Sequence, residues 1–384
     1  MFMWIMILIV TLLLCGLALA YLVRRFSLFS CVKKWSNEKR GRRILLGLVP
    51  VLLLIVLMLL LFSFTNMMIM MIVLAAFFAL SDLVLLVVCK IRKAERGERA
   101  RDIAGLVAIV LTVVYFLIGW FMAHHVFETP YQIASAKIKE PLRVVLFADA
   151  HMGTTFDEKG FYSHLERINA TNPDVVVIAG DLVDDATDYD AMRACCSALG
   201  GLQSKYGVYY AYGNHDKGYA GSARGYDAMA LESALEEYGV KVLEDTGVEL
   251  REDVMLIGRA DASTGRANGG YTFGGREEIN VLLSDIEPDV YTIVLDHQPN
   301  DYEEEAAAGA DLVLSGHTHG GQLFPINRIG ELIGANDRTY GYERRGNTDF
   351  IVTSGIGAWE IPFKTGCRSE YVVIDLVPGS QEQI

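Results

Sequence analysis

Six histidines lie beyond residue 125, and five of them stand in short clusters with Asp or Asn. The clusters read Asp149-Ala150-His151, Gly180-Asp181-Leu182-Val183-Asp184, Gly213-Asn214-His215-Asp216, Asp296-His297 and Gly316-His317-Thr318-His319. Only His164 lies apart. A lone histidine is more often a packed or surface residue than a ligand, but packing does not place five of six beside acid and amide side chains. Carboxylate, imidazole and amide oxygen form a donor set for Mn, Fe or Zn rather than for thiophilic copper. Asp149, His151, Asp181, Asn214, His297, His317 and His319 are too many donors for one ion, and they suit two ions that share a carboxylate. Two ions about 3.5–4 Å apart clamp a phosphoryl group and turn a bridging water into hydroxide for in-line attack. Gly180, Gly213, Gly316, Gly320 and Gly321 give the backbone the tight turns that bring such groups together.

Each cluster follows a short apolar run. Arg143–Ala148, Asp174–Ala179, Gly207–Tyr212, Val290–Leu295 and Leu312–Ser315 read as buried strands, with further strands at Lys241–Leu243 and Val254–Gly258. Helical spacing recurs in Phe161–Ala170, Asp190–Leu202 and Met229–Tyr238. Apolar strands alternating with helices indicate a layered α/β domain whose sheets are covered on both sides. The polar clusters sit where strands stop, which is where α/β sheets place ligand sites.

The first third is different. Residues 1–125 carry 14 Lys and Arg against 5 Asp and Glu, and the remainder carries 20 against 42. Four uncharged or nearly uncharged runs, about 2–23, 44–64, 67–89 and 103–122, are long enough to cross ~30 Å of hydrocarbon as helices. Met1–Val23 lacks a basic leader and a small-residue cleavage site, so it reads as a retained span. Trp120 and Phe121 mark an interfacial end. The loops Arg24–Arg43 and Lys90–Asp102 carry the basic residues, whereas the Thr65-Asn66 connection carries none. Positive loops stay in the cytoplasm, which puts both termini and everything after residue 126 on the outer side. Asp82, inside the third run, is either a functional carboxylate or a residue about two turns from Lys90 that faces another helix or the headgroups. The expected organisation is a transmembrane region over 1–125, a linker over 126–142 and a catalytic domain over 143–384.

The ordered blocks D-x-H, G-D-x-x-D, G-N-H-D, a later His and G-H-x-H resemble the calcineurin-like metallophosphoesterase superfamily, over roughly Arg143 to Leu376. The textures G-D-L-V-D and G-H-T-H-G-G-Q are similar to small bacterial membrane-linked members. Ala148-Asp149-Ala150-His151 departs from the Ser-Asp-Leu-His common there but keeps the metal-binding letters. The resemblance implies a two-sheet β-sandwich flanked by helices. It implies that Asp149, His151 and His319 hold one divalent ion, that Asn214, His297 and His317 hold a second, and that Asp181 bridges them. His215 would touch the substrate phosphate and protonate the leaving oxygen. Asp184 or Asp216 would orient that imidazole, with turn capping as the competing role.

The expected activity is hydrolysis of phosphodiesters or phosphomonoesters by a membrane-anchored, outward-facing enzyme. The tether favours a lipid-linked or cell-envelope substrate. The alternatives are a cytoplasmic-facing nucleotide or signalling phosphodiesterase and a catalytically silent phosphate-binding sensor. The acidic body excludes a broad nucleic-acid surface. Six cysteines read as small buried hydrophobes rather than a disulfide scaffold. Asp296 reads as a partner of His297 or a surface residue. Arg344-Arg345 and Arg368 read as solvated surface pairs, with steering of a phosphate as the alternative, and Glu303–Glu305 as a solvated helix face. Tyr271–Phe273 and Trp359–Phe363 are candidates for an apolar lip, with core packing as the alternative.

Overall fold

The computed structural model describes residues 2–217, 224–263 and 275–379, so the segment Tyr271–Phe273 lies outside the described residues. The chain divides into two compact units, Met1–Leu117 and Ile118–Ile384.

The first unit is helical: α1 (Phe2–Ser27), α2 (Ser30–Trp35), α3 (Arg40–Leu61), α4 (Phe64–Ile91) and the greater part of α5 (Glu98–His124). Four of these helices are long and apolar enough to cross a membrane. Leu13, Leu17, Leu53 and Leu60 stay exposed on them, as expected of helices whose solvent is hydrocarbon. Leu22, Val51, Leu74, Phe78 and Ala108 form the contact seam. The helices overrun the uncharged runs. The break between the second and third spans falls at residues 62–63, where the Ser63 hydroxyl accepts from Asn66 N–H and caps α4. Thr65-Asn66, expected as the connection, is already helix. Asp82 faces another helix, α1, as one of the expected arrangements had it. It pairs with Arg25 Nε at 2.9 Å and accepts from Tyr21 Oη at 2.8 Å, because α1 continues past Val23 and carries Arg25 inward.

The described residues of the second unit hold twelve strands: β1 (Phe127–Ser135), β2 (Leu142–Phe147), β3 (Val175–Ala179), β4 (Val208–Ala211), β5 (Val240–Val242), β6 (Thr246–Arg251), β7 (Val254–Gly258), β8 (Tyr291–Leu295), β9 (Leu312–Ser315), β10 (Gly341–Arg345), β11 (Thr348–Val352) and β12 (Glu370–Pro378). They form two six-stranded sheets, ordered β1-β12-β2-β3-β4-β5 and β10-β11-β9-β8-β7-β6. Alternation along each strand assigns its side chains. Val144 and Leu146 of β2 join Val177, Leu256, Ile293 and Leu314 in the core between the sheets. Val145 and Phe147 point the other way, under α6 (Glu158–Asn169), α7 (Tyr189–Leu199) and α8 (Ala228–Glu237). Short helices α9 (Ile279–Leu282) and α10 (Tyr302–Ala308) cover the second sheet through Val294, Val313 and Phe350. A last short helix, α11 (Ile329–Leu332), follows β9. This is the two-sheet sandwich flanked by helices.

Residues 126–142, expected as a linker, contain β1, which pairs in parallel with β12 from Phe127↔Glu370 to Ser135↔Pro378. Its alternation of more and less buried residues is that of a half-buried strand, and Pro130 is tolerated because β1 is an edge.

Candidate metal centre

The clusters sit at the carboxyl ends of parallel strands from both sheets. Asp149 and His151 follow β2, Asp181 and Asp184 follow β3, and Asn214, His215 and Asp216 follow β4. From the other sheet, Asp296 and His297 follow β8, and His317 and His319 follow β9. The loops are tied together by main-chain bonds: Asp149 N–H to Gly180 C=O at 2.9 Å, and Gly316 N–H to His297 C=O at 3.0 Å. The approach leaves no room for side chains at two turns. A Cβ on Gly213 would strike the Asp181 carboxylate, and one on Gly180, which has φ +79°, would lie 2.8 Å from His297 Nδ1.

All seven ligand candidates converge. Donor atoms of Asp149, His151 and His319 lie within 4.8 Å of one another, as do those of Asp181, His297 and His317. Asp181 stands between the two sets: its Oδ2 is 3.2 Å from His297 Nε2 and 3.6 Å from His151 Nε2. Asn214 Oδ1 is 3.2 Å from His297 Nε2. His319 Nε2 is 3.1 Å from His151 Nε2 and 3.8 Å from Asp149 Oδ1. Asp149, His151, Asp181, His317 and His319 all have positive φ, between 39° and 69°. Such non-glycine conformations cost about 1–3 kcal/mol each and persist where the surroundings impose them. Five at one place mark a site held under strain.

The tautomers are fixed from behind. His151 Nδ1 lies 3.1 Å from Asp184 Oδ2, so the proton sits on Nδ1 and the Nε2 lone pair faces inward. His297 Nδ1 lies 2.6 Å from the Ala179 carbonyl, with the same consequence. His297 Nε2 then faces Asp181 Oδ2 and Asn214 Oδ1, both acceptors, and either a proton or a metal ion at that point reconciles them. Burial opposes a proton on His297, yet the charge and hydrogen bond of Asp181 hold its pKa well above the usual value. Burial likewise opposes His151, but the Asp184 hydrogen bond and the Asp181 charge raise it. The donor set demands positive charge, and oxygen and imidazole donors at this spacing fit hard or borderline divalent ions.

His215 lies beside the cluster, its ring 5.0 Å from that of His151 and its Nδ1 3.8 Å from Asp184 Oδ1. The Asp184/Asp216 alternative divides. Asp184 serves both His151 and, more distantly, His215. Asp216 instead accepts from the amides of Asp181 at 2.8 Å, Leu182 at 3.0 Å and Gly213 at 2.6 Å, which is turn capping.

Asp296 is buried in an ion network with Arg259 at 2.8 Å and Arg276 at 3.0 Å. Glu305, expected on a solvated face, is buried 3.3 Å from Arg259. Arg345 pairs with Asp337 and Glu343, Arg344 with Asp349, and Arg368 lies over Phe127. Trp359 is the part of Trp359–Phe363 that reaches the site, its ring 5.5 Å from that of His215.

Of three further neighbours, Arg224 and Lys364 carried no sequence signal, and Gln322 closes the G-H-T-H-G-G-Q run. Buried Arg224 donates to the His215 carbonyl at 3.1 Å. Gln322 donates to the Trp359 and Ile361 carbonyls at 3.2 Å each. Lys364, fully buried, donates to the carbonyls of Ser354 at 2.6 Å and Gly355 at 3.1 Å, behind Asp149.

Acid, amide and imidazole side chains gathered at the strand ends of a two-sheet α/β sandwich define a candidate metal-binding scaffold. Residues 142–321 match the profile of the calcineurin-like phosphoesterase family, and this domain belongs to that family. A bovine transmembrane protein with a metallophosphoesterase domain is 32% identical over 60% of this chain and 51% of its own length. An uncharacterized metallophosphoesterase of Helicobacter pylori is 30% identical over 66% of this chain and 64% of its own length. One from Campylobacter jejuni is 29% identical over 77% and 76%. The chain thus spans between half and two thirds of the first two relatives.

Proposed function

We propose that this protein is a membrane-anchored phosphoesterase working with two divalent ions, Mn, Fe or Zn, and that its catalytic domain lies outside the cytoplasm. Asp149, His151 and His319 would hold one ion, Asn214, His297 and His317 the other, with Asp181 between them. The observation that carries this reading is the convergence of inward-facing lone pairs from both sheets on Asp181, at 3.2 and 3.6 Å. Bound there, the ions would supply Lewis acidity to the phosphoryl oxygens and a water of lowered pKa.

The chain's own groups do the rest. Asp184 and the Ala179 carbonyl hold two imidazoles in the metal-binding tautomer. His215 is depressed by burial, against the pull of Asp181, so its imidazole is neutral in the free site. An incoming anionic phosphate shifts that balance towards the proton, which His215 then delivers to the leaving oxygen. Arg224, bonded to the His215 carbonyl, and Asp181, whose Oδ1 accepts the His215 amide at 2.8 Å, fix the residue's backbone. Outward topology is supported by the two basic loops, Arg24–Arg43 and Lys90–Asp102.

The test uses detergent-solubilised protein, stripped of metal and reloaded with Mn²⁺, Fe²⁺ or Zn²⁺, on an aryl phosphodiester and an aryl phosphomonoester. Metal-dependent turnover is expected, abolished in Asp181→Ala and reduced about 10²–10⁴-fold in His215→Ala. Absence of turnover from folded, metal-loaded protein refutes the reading. A reporter fused after residue 384 tests the topology, and activity of a cytoplasm-only reporter refutes the outward orientation.

A further inference from the structure

Beyond α5, ten large apolar side chains are exposed among the described residues of the second unit. Four of them (Tyr162, Tyr189, Met229 and Val281) are scattered singly, which is normal for a water-facing surface. The other six are Phe324, Ile326, Ile329, Leu332, Ile333 and Trp359, and five of these fall within ten consecutive residues. Their exposure runs from 38% at Trp359 to 85% at Leu332. A cluster of this kind marks a surface built to be covered.

Its place in the fold says by what. The segment begins five residues after His319 and is pinned to the metal loops. Glu331 accepts the Thr339 amide at 2.7 Å, and the Thr339 carbonyl accepts the hydroxyl of Thr318, between His317 and His319, at 2.5 Å. On its other side lies the strap 359–369. Thr365 donates its amide to the Gln322 carbonyl at 2.7 Å, and the Phe324 amide donates to Thr365 Oγ1 at 3.1 Å. That same strap is bonded to the last turns of the membrane helix α5. Lys364 N–H donates to Gly119 C=O at 2.9 Å, and Ser369 donates to the Met122 and Ala123 carbonyls at 2.8 Å each. One short strap thus separates the apolar cluster from the helix end that carries Trp120 and Phe121, the side-chain types that settle at the headgroup level. Charge agrees. Residues 126–384 hold 20 Lys and Arg against 42 Asp and Glu, which an anionic bilayer repels, but residues 324–333 carry only Arg328 and Glu331, paired with each other at 3.0 Å.

We infer that residues 324–333, with Trp359, form a lip that enters the bilayer holding the protein's own helices, so that the site takes a phosphoester borne on a membrane lipid. The inference rests on the phosphoesterase reading for what is done to the lipid, but not for where the lip lies. Trp359 connects the two: its backbone is bonded to the Gln322 side chain, two residues before the lip, and its partly exposed ring stands 5.5 Å from that of His215.

The full chain, reconstituted in lipid nanodiscs, tests this. In a Cys15→Ser, Cys31→Ser, Cys89→Ser background, Leu332→Cys carries an environment-sensitive fluorophore, and Met229→Cys is the water-exposed control. Blue-shifted emission and quenching by nitroxide-labelled lipid are expected at position 332 and not at 229. Equal behaviour at the two positions overturns the proposal. So does shielding that follows protein concentration in detergent without lipid quenching, which would assign the surface to a second copy of the chain. The Leu332→Ser, Ile333→Ser variant is then compared on bis-(p-nitrophenyl) phosphate and on a p-nitrophenyl phosphodiester of diacylglycerol in the same discs. A loss of about tenfold or more on the lipid alone is expected, since two side chains that anchor the lip in hydrocarbon are gone. Equal rates on both substrates overturn the lipid specificity. A label quenched by lipid with no turnover of either substrate upholds the lip and refutes the phosphoesterase reading. Turnover of the soluble diester with a label left in water does the reverse.

Discussion

Asp184 offers the sharpest test of how this site is organised. Its Oδ2 lies 3.1 Å from His151 Nδ1 and its Oδ1 3.8 Å from His215 Nδ1. Burial alone would raise its pKa, but the His151 hydrogen bond and charge bring it below the usual carboxylate range, so it is ionised where the site works. Asp184→Ala removes the group that fixes the His151 tautomer and leaves a buried Nδ1–H without its acceptor. Loss of such an outer carboxylate costs about 10–100-fold in metal affinity, or about 1.4–2.7 kcal/mol. The half-saturating metal concentration, read from activity against free Mn²⁺ or Zn²⁺ and from direct metal binding, should rise by that factor. Turnover at saturating metal should fall less, because the 3.8 Å contact to His215 is longer than a hydrogen bond. A capping role predicts something else. The Asp184 amide donates to Thr187 Oγ1 at 2.9 Å, so Thr187→Ala disturbs the turn while sparing the carboxylate. If Asp184→Ala and Thr187→Ala lower Tm alike and neither moves the metal curve, the tautomer argument is refuted.

Other consequences can be checked alongside it. Lys364→Met takes the donor from the Ser354 carbonyl, while the Gly355 carbonyl keeps the Glu370 amide at 3.0 Å, and one buried polar group left unpaired costs about 1–3 kcal/mol; Tm should fall by a few degrees, and an unchanged Tm would deny the clamp. Gly213→Ala places a methyl against the Asp181 carboxylate, so metal binding and turnover should collapse while circular dichroism shows a folded domain. In the helical unit, Asp82→Ala leaves Arg25 buried and unpaired, a loss of about 3–5 kcal/mol when one partner of a buried ion pair is removed. Pairing it with Arg25→Met should recover much of that in detergent thermal melts, and additive losses would show that the two side chains do not act as a pair.

The chain's local chemistry set a great deal. Hydrophobic runs with no charge announce membrane helices whatever they pack against, because backbone in hydrocarbon must be helical or closed in a barrel. Short apolar strands ending in Asp, His and Asn announce the sheet ends and the metal-binding letters, because strand burial and ligand type are both written in consecutive residues. What local pattern cannot carry is pairing between distant segments. The strand at 127–135 gains its partner 243 residues further on, across Phe127↔Glu370, so it read as a linker. Asp184 and Asp216 have the same chemistry and nearly the same position in their loops. Only the way the β3 and β4 turns interleave sends one carboxylate to two imidazoles and the other to three backbone amides. Glu305 looks solvated beside Glu303 and Glu304 until α10 packs it against Arg259. Lys364 and the segment 324–333 have no motif at all, and Trp359 stood out only as one end of a candidate apolar lip. They matter because the folded chain lays one strap between a membrane helix and the metal loops, an adjacency set by long-range packing rather than by neighbours in sequence.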